Sequence, residues 1–240
     1  MRHDPMLRWK KSMLRYFAAV VVMAGVLAQG SVVPAQDAAQ PVYLITYIEI
    51  APGSASEAGQ LILAHSADAR KASGAVQVDA LRRIDYPNHF ALVEQWQSEA
   101  ARQAYASTDS VVKFRAALRP LQSAAYDERP HAALSLGASV SAPADPVVIV
   151  THVDVIPTAT EAGTGKVKTI VEQGRSAAGN RRFDALVQAS RKNHMTIVES
   201  WDTLADKNAW ISTPAARSFR EELQPMSGSL YDERAYRLLR

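Results

Sequence analysis

The stretch "NHFALVEQW" at positions 88–96 returns as "NHMTIVESW" at 193–201, 105 positions later. A solenoid unit repeats every 20 to 50 residues or so, so a recurrence at this distance spaces whole small domains. The match extends both ways. "TYIEIAP" (46–52) meets "THVDVIP" (151–157), "DAL" (79–81) meets "DAL" (184–186), and "AYDERP" (125–130) meets "LYDERA" (230–235). "SEAG" (56–59) meets "TEAG" (160–163) after a one-residue slip, and about 29 of roughly 90 aligned positions are identical. The chain reads as a tandem duplication of one fold.

The first 35 residues stand outside the repeat. Five Lys or Arg precede the apolar run "FAAVVVMAGVLA" (17–28), and small residues follow at Val33 and Ala35. A basic region, a short apolar stretch and a V-x-A site make a secretory signal peptide, because about 12 apolar residues fall short of the roughly 20 that span a bilayer. The expected organisation is a signal peptide (1–35), a first domain (36–134), an Ala/Ser-rich linker (135–145) and a second domain (146–240). The mature chain is then periplasmic or secreted. Removing the leader turns a net charge of +3 into −1, with 22 basic and 23 acidic residues. The basic isoelectric point belongs to the leader, so neither a nucleic acid nor a membrane surface is implied as partner. The chain has no cysteine, which excludes disulfides and thiolate chemistry.

Within one copy, "PVYLITYIEIAP" (41–52) is rich in β-branched and aromatic residues and stops at Pro-Gly, as a strand does. Ser54 with Glu57, and Thr158 with Glu161, fit capping boxes of helices that run to Gly74 and Gly179 as C′ residues. A β-hairpin turning at Pro87-Asn88, two helices and a last strand carrying "YDER" complete β-α-β-β-α-β, the ferredoxin-like arrangement. The strands are apolar on both faces, so the second copy is the expected cover for the face the helices leave bare. Charge pairing is expected between "YDER" and Arg115 or Arg220, with Tyr126 and Tyr231 packing across the interface between copies.

This order of elements, with "ALVEQW" and "TIVESW" as its most telling strings, resembles the antibiotic biosynthesis monooxygenase superfamily over residues 42–130 and 147–235. The resemblance implies an α+β fold: two ferredoxin-like domains packed sheet to sheet as an intramolecular dimeric α+β barrel, a pseudo-dimer with further homo-oligomerisation left open. Family members include cofactor-independent oxygenases of phenols and quinols, relatives that break down haem, and proteins without established activity, so fold alone does not decide chemistry.

On a strand, Trp96 and Trp201 share a face with Glu94 and Glu199 two residues earlier. The family places this Trp in a pocket where it can stack on a flat ligand, while each Glu reads as a structural carboxylate. Many members carry a His about nine residues beyond the Trp. Here the positions hold Tyr105 and Trp210, of which only Tyr105 can move a proton or ligate haem iron. His89 and His194, each preceded by Asn, begin a strand in both copies, and an imidazole near its ordinary pKa is a plausible base. His65 and His152 occur in one copy each and carry no functional expectation.

The residues singled out are therefore His89 and Tyr105 for catalysis, and Asn88, Trp96, Trp201 and Trp210 for binding. No metal-ligand spacing, phosphate loop or nucleotide fingerprint is visible, so no cofactor is expected. The expected function is an exported cofactor-independent monooxygenase of a small aromatic phenol or quinol, with the working site in the first copy. The alternative is a non-catalytic periplasmic module that binds an aromatic or apolar ligand.

Overall fold

A computed structural model describes residues 40–240 except Ser139 and Ala142; the expected signal peptide lies outside the described residues. The first half runs β1 (Val42–Glu49), α1 (Ala55–Ala69), β2 (Ala75–Arg83), β3 (His89–Trp96), α2 (Glu99–Ala106), α3 (Asp109–Leu118) and β4 (Asp127–Ser135). The second runs β5 (Val147–Asp154), α4 (Thr160–Gly174), β6 (Asn180–Gln188), β7 (His194–Trp201), α5 (Leu204–Ile211), α6 (Pro214–Leu223) and β8 (Asp232–Leu238). Among the described residues no helix is long and apolar enough to cross a membrane.

Each half pairs its strands antiparallel in the order β4-β1-β3-β2 or β8-β5-β7-β6. The halves also pair edge to edge, β2 with β8 and β4 with β6, so the eight strands close into one barrel. The joining ladders are short, Leu81–Arg83 against Tyr236–Leu238 and His131–Ser135 against Ala185–Gln188, and they cover those parts of the strand edges. The expected pseudo-dimer is thus present, joined through backbone hydrogen bonds as well as through its sheet faces.

Alternation along the strands explains why both faces had to be covered. Tyr43, Ile45 and Tyr47 of β1 point into the barrel with Val93, Val148, Val150 and Val198. Their neighbours Leu44, Thr46 and Ile48 turn the other way, where Ile48, Phe90 and Leu92 meet Ile62 of α1 and Phe114 and Leu118 of α3. The second half repeats this with Val167, Ile170 and Val171 of α4 against Ile149, Val153 and Trp201.

Burial sets the register of the repeat. Ala58, Ile62, His65, Ser66 and Ala69 of α1 are buried, and so are Gly163, Val167, Ile170, Val171 and Gly174 of α4, an offset of 105 throughout. The slip that aligns "SEAG" with "TEAG" is therefore wrong, because a one-residue shift would rotate a helix by about 100° and turn its apolar face to water. His65 corresponds to Ile170.

Neither expected capping box forms. The helices start from 3-10 turns at Pro52–Ser54 and Pro157–Ala159, and the N-caps of α1 and α4 accept no side-chain cap bond. Side-chain caps occur instead at α2, α5 and α6, where Ser98, Thr203 and Thr213 accept from Ala101 N, Asp206 N and Ala216 N. Helices α1 and α4 also end short of Gly74 and Gly179, although both glycines have φ near +80°, at 82° and 75°.

Candidate functional site

In β3 the residues Glu94 and Trp96 face the helices of the first half. The Trp96 indole is fully buried, and its Nε1 donates to Glu94 Oε2 at 2.8 Å. Tyr105 of α2 lies over that indole, ring centroids 5.3 Å apart and 28° from parallel. His65 of α1 stacks flat on Phe114 of α3, at 4.0 Å and 3°. The Tyr105 hydroxyl lies 3.4 Å from His65 Nδ1 and donates to the His65 carbonyl at 3.3 Å. Between these groups is a cavity of about 280 Å³, bounded also by Leu44, Val111, Arg102, Arg115, Tyr126 and Glu128.

The charges around it are ordered by two carboxylates, of which Glu99 accepts from Arg102 at 2.5 and 2.9 Å. Glu128 of β4 accepts from Arg115 of α3 at 2.5 Å and from Arg102 of α2 at 3.4 Å, as the "YDER" pairing led one to expect. The Arg115 guanidinium lies 3.4 Å from the centre of the Tyr126 ring. Tyr126 therefore lines this cavity and does not pack across the interface between halves.

Burial decides the protonation states. It pushes the Glu94 carboxyl up to about 7, aided by Glu128 and opposed by the Trp96 hydrogen bond and the two arginines. Burial, with Arg115, lowers His65 to about 4, so the imidazole is neutral at pH 7. Burial, with Glu94 and Asp68, raises Tyr105 to about 12. Glu94 is thus the carboxyl of this cavity held near neutrality, and neither it nor His65 is among the residues singled out from the sequence. The signal for Glu94 was present in its shared strand face with Trp96; His65 had none, because its counterpart is an isoleucine.

The second half uses the same frame and fills it. Trp201 Nε1 donates to Glu199 Oε2 at 2.7 Å, and burial again lifts the carboxyl to about 7. Trp210, in place of Tyr105, packs edge-on to Phe183 at 5.9 Å and lies over Trp201 at 6.5 Å. Lys207, in place of Arg102, is 2% exposed and reaches Glu233 at 2.9 Å. An indole and a lysine chain thus occupy the space that is open in the first half.

Of the residues singled out from sequence, Trp96 and Tyr105 meet in the first cavity, and Trp201 and Trp210 meet in the filled one. Asn88 and His89 join neither. They sit at the opposite end of β3 from Trp96, about 23 Å away at about 3.3 Å per residue. There Asn88 Nδ2 donates to the Ile50 carbonyl at 2.7 Å, and His89 Nδ1 lies 3.9 Å from Glu49 Oε1. Away from the cavity, His152, Asp154 and His194 come within 4.8 Å of one another, a grouping of metal-ligand type that wide sequence separation concealed.

Comparison with known proteins agrees with this architecture. The chain superposes on the crystal structure of a candidate monooxygenase from Fusobacterium nucleatum with TM-score 0.74 and 12% identity, covering 84% of this chain and 94% of that one. A candidate monooxygenase from Lactobacillus acidophilus gives TM-score 0.66 and 15% identity, over 82% and 94% of the two chains. An anthrone oxidase-like protein gives 0.67 and 10%, over 84% and 92%. At these identities the likeness concerns fold alone. None of the curated proteins matches the sequence. The family model for antibiotic biosynthesis monooxygenase matches residues 41–117 and again 146–222. The chain, one βαββαβ unit written twice and closed into a barrel, therefore belongs to the antibiotic biosynthesis monooxygenase family.

Proposed function

We propose that the first-half cavity binds a small aromatic phenol or quinol and oxidises it with molecular oxygen, without flavin or metal, in a protein exported by its first 35 residues. The observation that carries this reading is a buried carboxyl, Glu94, raised to about 7 beside a fully buried tryptophan and an open cavity. An apolar hole of about 150 Å³ admits benzene, so about 280 Å³ accommodates one ring or a fused pair. A general base works best with its pKa near the working pH, which favours Glu94 over Tyr105.

In this scheme Glu94 accepts the phenolic proton, and neutral His65 lines the cavity beside it. Arg102 and Arg115 stabilise the resulting anion, and the Trp96 and Tyr105 rings orient it. The electron-rich anion reduces oxygen directly. One oxygen atom replaces hydrogen on a ring carbon to give the quinone and the other leaves as water, the substrate supplying all four electrons, so no external reductant enters the balance.

Oxygen uptake tests the reading. The protein should consume oxygen with some member of a panel of phenols and hydroquinones; Glu94→Gln should lower the rate by about 100-fold or more, the scale of a lost general base, and Glu199→Gln should leave it unchanged. Equal effects of the two would reject a first-half site.

One feature favours a second reading, a non-catalytic module. Glu128 already engages both cavity arginines, which leaves less positive charge to hold an anion and oxygen. Saturable quenching of tryptophan fluorescence without oxygen uptake would support it.

A further inference from the structure

We propose that His152, Asp154 and His194 form a binding site for a divalent late first-row metal ion, with Zn(II) as the representative, near one end of the barrel in the second half. Strand geometry assembles it. His152 and Asp154 are two apart on β5 and so share a face. They share it with Val148 and Val150, which line the barrel interior. The β5–β7 register sets His194 directly opposite Asp154 and Thr196 opposite His152, placing the two imidazoles on a diagonal, a separation that long side chains bridge.

The distances suit a small cation. His194 Nε2 is 3.4 Å from Asp154 Oδ1, the ring centroids of His152 and His194 are 5.4 Å apart, and the three ligand atoms lie within 4.8 Å of one another. A tetrahedral ion with bonds of about 2.0–2.1 Å spans ligand atoms about 3.4 Å apart, so one pair is already at that spacing and the third ligand must close by up to about 1.4 Å.

His152 Nδ1 is buried and makes no hydrogen bond, an orphaned donor or acceptor of the kind a native interior seldom keeps. Asn193 holds the carboxylate, its Nδ2 lying 3.5 Å from Asp154 Oδ1 and donating to the Val155 carbonyl at 2.8 Å. The facing cations are already engaged: Arg129 by Asp127 at 2.5 Å and Arg234 by Asp232 at 2.7 Å.

The duplication supplies an internal control. The first half has Tyr47, Glu49 and His89 at the equivalent positions, with one imidazole. The Tyr47 ring is committed between the guanidinium groups of Arg129 and Arg234, each 4.9 Å away. Two imidazoles and one carboxylate select zinc, copper, nickel or ferrous iron over magnesium or calcium. Three protein ligands also leave a coordination position for water or a ligand atom. The inference does not rest on the oxygenase reading.

The test uses the full chain stripped with EDTA, titrated with ZnCl2 by calorimetry and with CoCl2 by visible absorption. One Zn(II) per chain and cobalt d–d bands are expected. His152→Tyr, which installs the first half's residue, and His194→Gln should each weaken binding by at least about 100-fold, more than loss of an outer-shell partner brings, while His89→Gln leaves it unchanged. Far-UV circular dichroism verifies that each variant is folded, and Asp154→Asn replaces either one that is not. Binding of less than about a tenth of an ion per chain, or variants within about threefold of wild type, would overturn the assignment, since a true ligand cannot be lost so cheaply.

Discussion

Leu134 and Leu239 occupy equivalent places 105 residues apart, and each packs into the core of the other half: Leu134 of β4 against the Phe183 and Trp201 cluster, Leu239 beyond β8 against the Phe90 and Phe114 cluster. The exchange continues in the polar contacts, since His131 Nε2 of the first half lies 3.0 Å from Thr196 Oγ1 of the second. Each half completes its neighbour, so one stability should describe both.

The first prediction follows from that exchange. Leu134→Ala and Leu239→Ala should each cost about 1–3 kcal/mol, below the range for a fully buried leucine because both are partly exposed. Urea unfolding should remain a single transition by circular dichroism and by fluorescence. Two separated transitions would mean that the halves fold independently.

The second concerns the positive-φ glycines. A Cβ on Gly74 would lie 2.5 Å from Ala101 Cβ on α2, whereas one on Gly53 would meet nothing within 4 Å. Gly74→Ala combines a left-handed backbone with a clash against a helix and should cost more than about 2 kcal/mol. Gly53→Ala should stay within about 0.5 kcal/mol of wild type. Thermal unfolding of the two variants checks the contrast.

The third concerns pH. Burial holds the Glu94 carboxyl near 7 against an ordinary 4.5, so between those values the folded chain binds the extra proton. Stability therefore falls as pH rises through that window, by on the order of 3 kcal/mol for the site at most. Glu94→Gln cannot ionise and keeps an oxygen for the Trp96 indole. Its stability should exceed wild type at about pH 8 by on the order of 2 kcal/mol and match it near pH 4. Urea titrations across that range test this, and a difference independent of pH would contradict it. The same variant should be less active, so greater stability with lost turnover separates a catalytic carboxyl from a structural one.

The fourth concerns the filled half. Lys207 is 2% exposed and pairs with Glu233 at 2.9 Å. Lys207→Ala leaves Glu233, 26% exposed, with Arg220 at 3.6 Å as its remaining ion-pair partner, and should cost about 1–3 kcal/mol. Adding Glu233→Gln should recover a large part of that loss, measured as a double-mutant cycle by urea unfolding; additive costs would count against the pairing.

The duplication, the order of strands and helices, and the cover each half gives the other were legible in the sequence because apolar alternation and a long repeat both report on backbone periodicity. Edge closure was not, since β2·β8 and β4·β6 pairing depends on the relative placement of the halves. The helix register was misread because a short match in "EAG" outweighed the burial pattern, which only the packed core displays. At the site, Trp96 and Tyr105 were found through the motif and its family. Glu94 was visible but discounted, since nothing in a sequence tells a buried carboxyl from a solvated one. His89 was favoured because it appears twice, yet recurrence marked a hairpin position common to both copies, while the cavity is where the copies diverge, at His65 against Ile170 and Tyr105 against Trp210.

That divergence gives the most direct test of the central claim, that the duplicated frame carries one open site. Tyr105→Trp installs the residue with which the second half fills its own cavity, so the fold should tolerate it. Titrating wild type and this variant with a panel of hydroquinones, with binding followed by fluorescence quenching, should show one saturable site in wild type and its loss in Tyr105→Trp, while Trp210→Phe keeps it. Undiminished binding in Tyr105→Trp, or loss in Trp210→Phe alone, would place the site elsewhere.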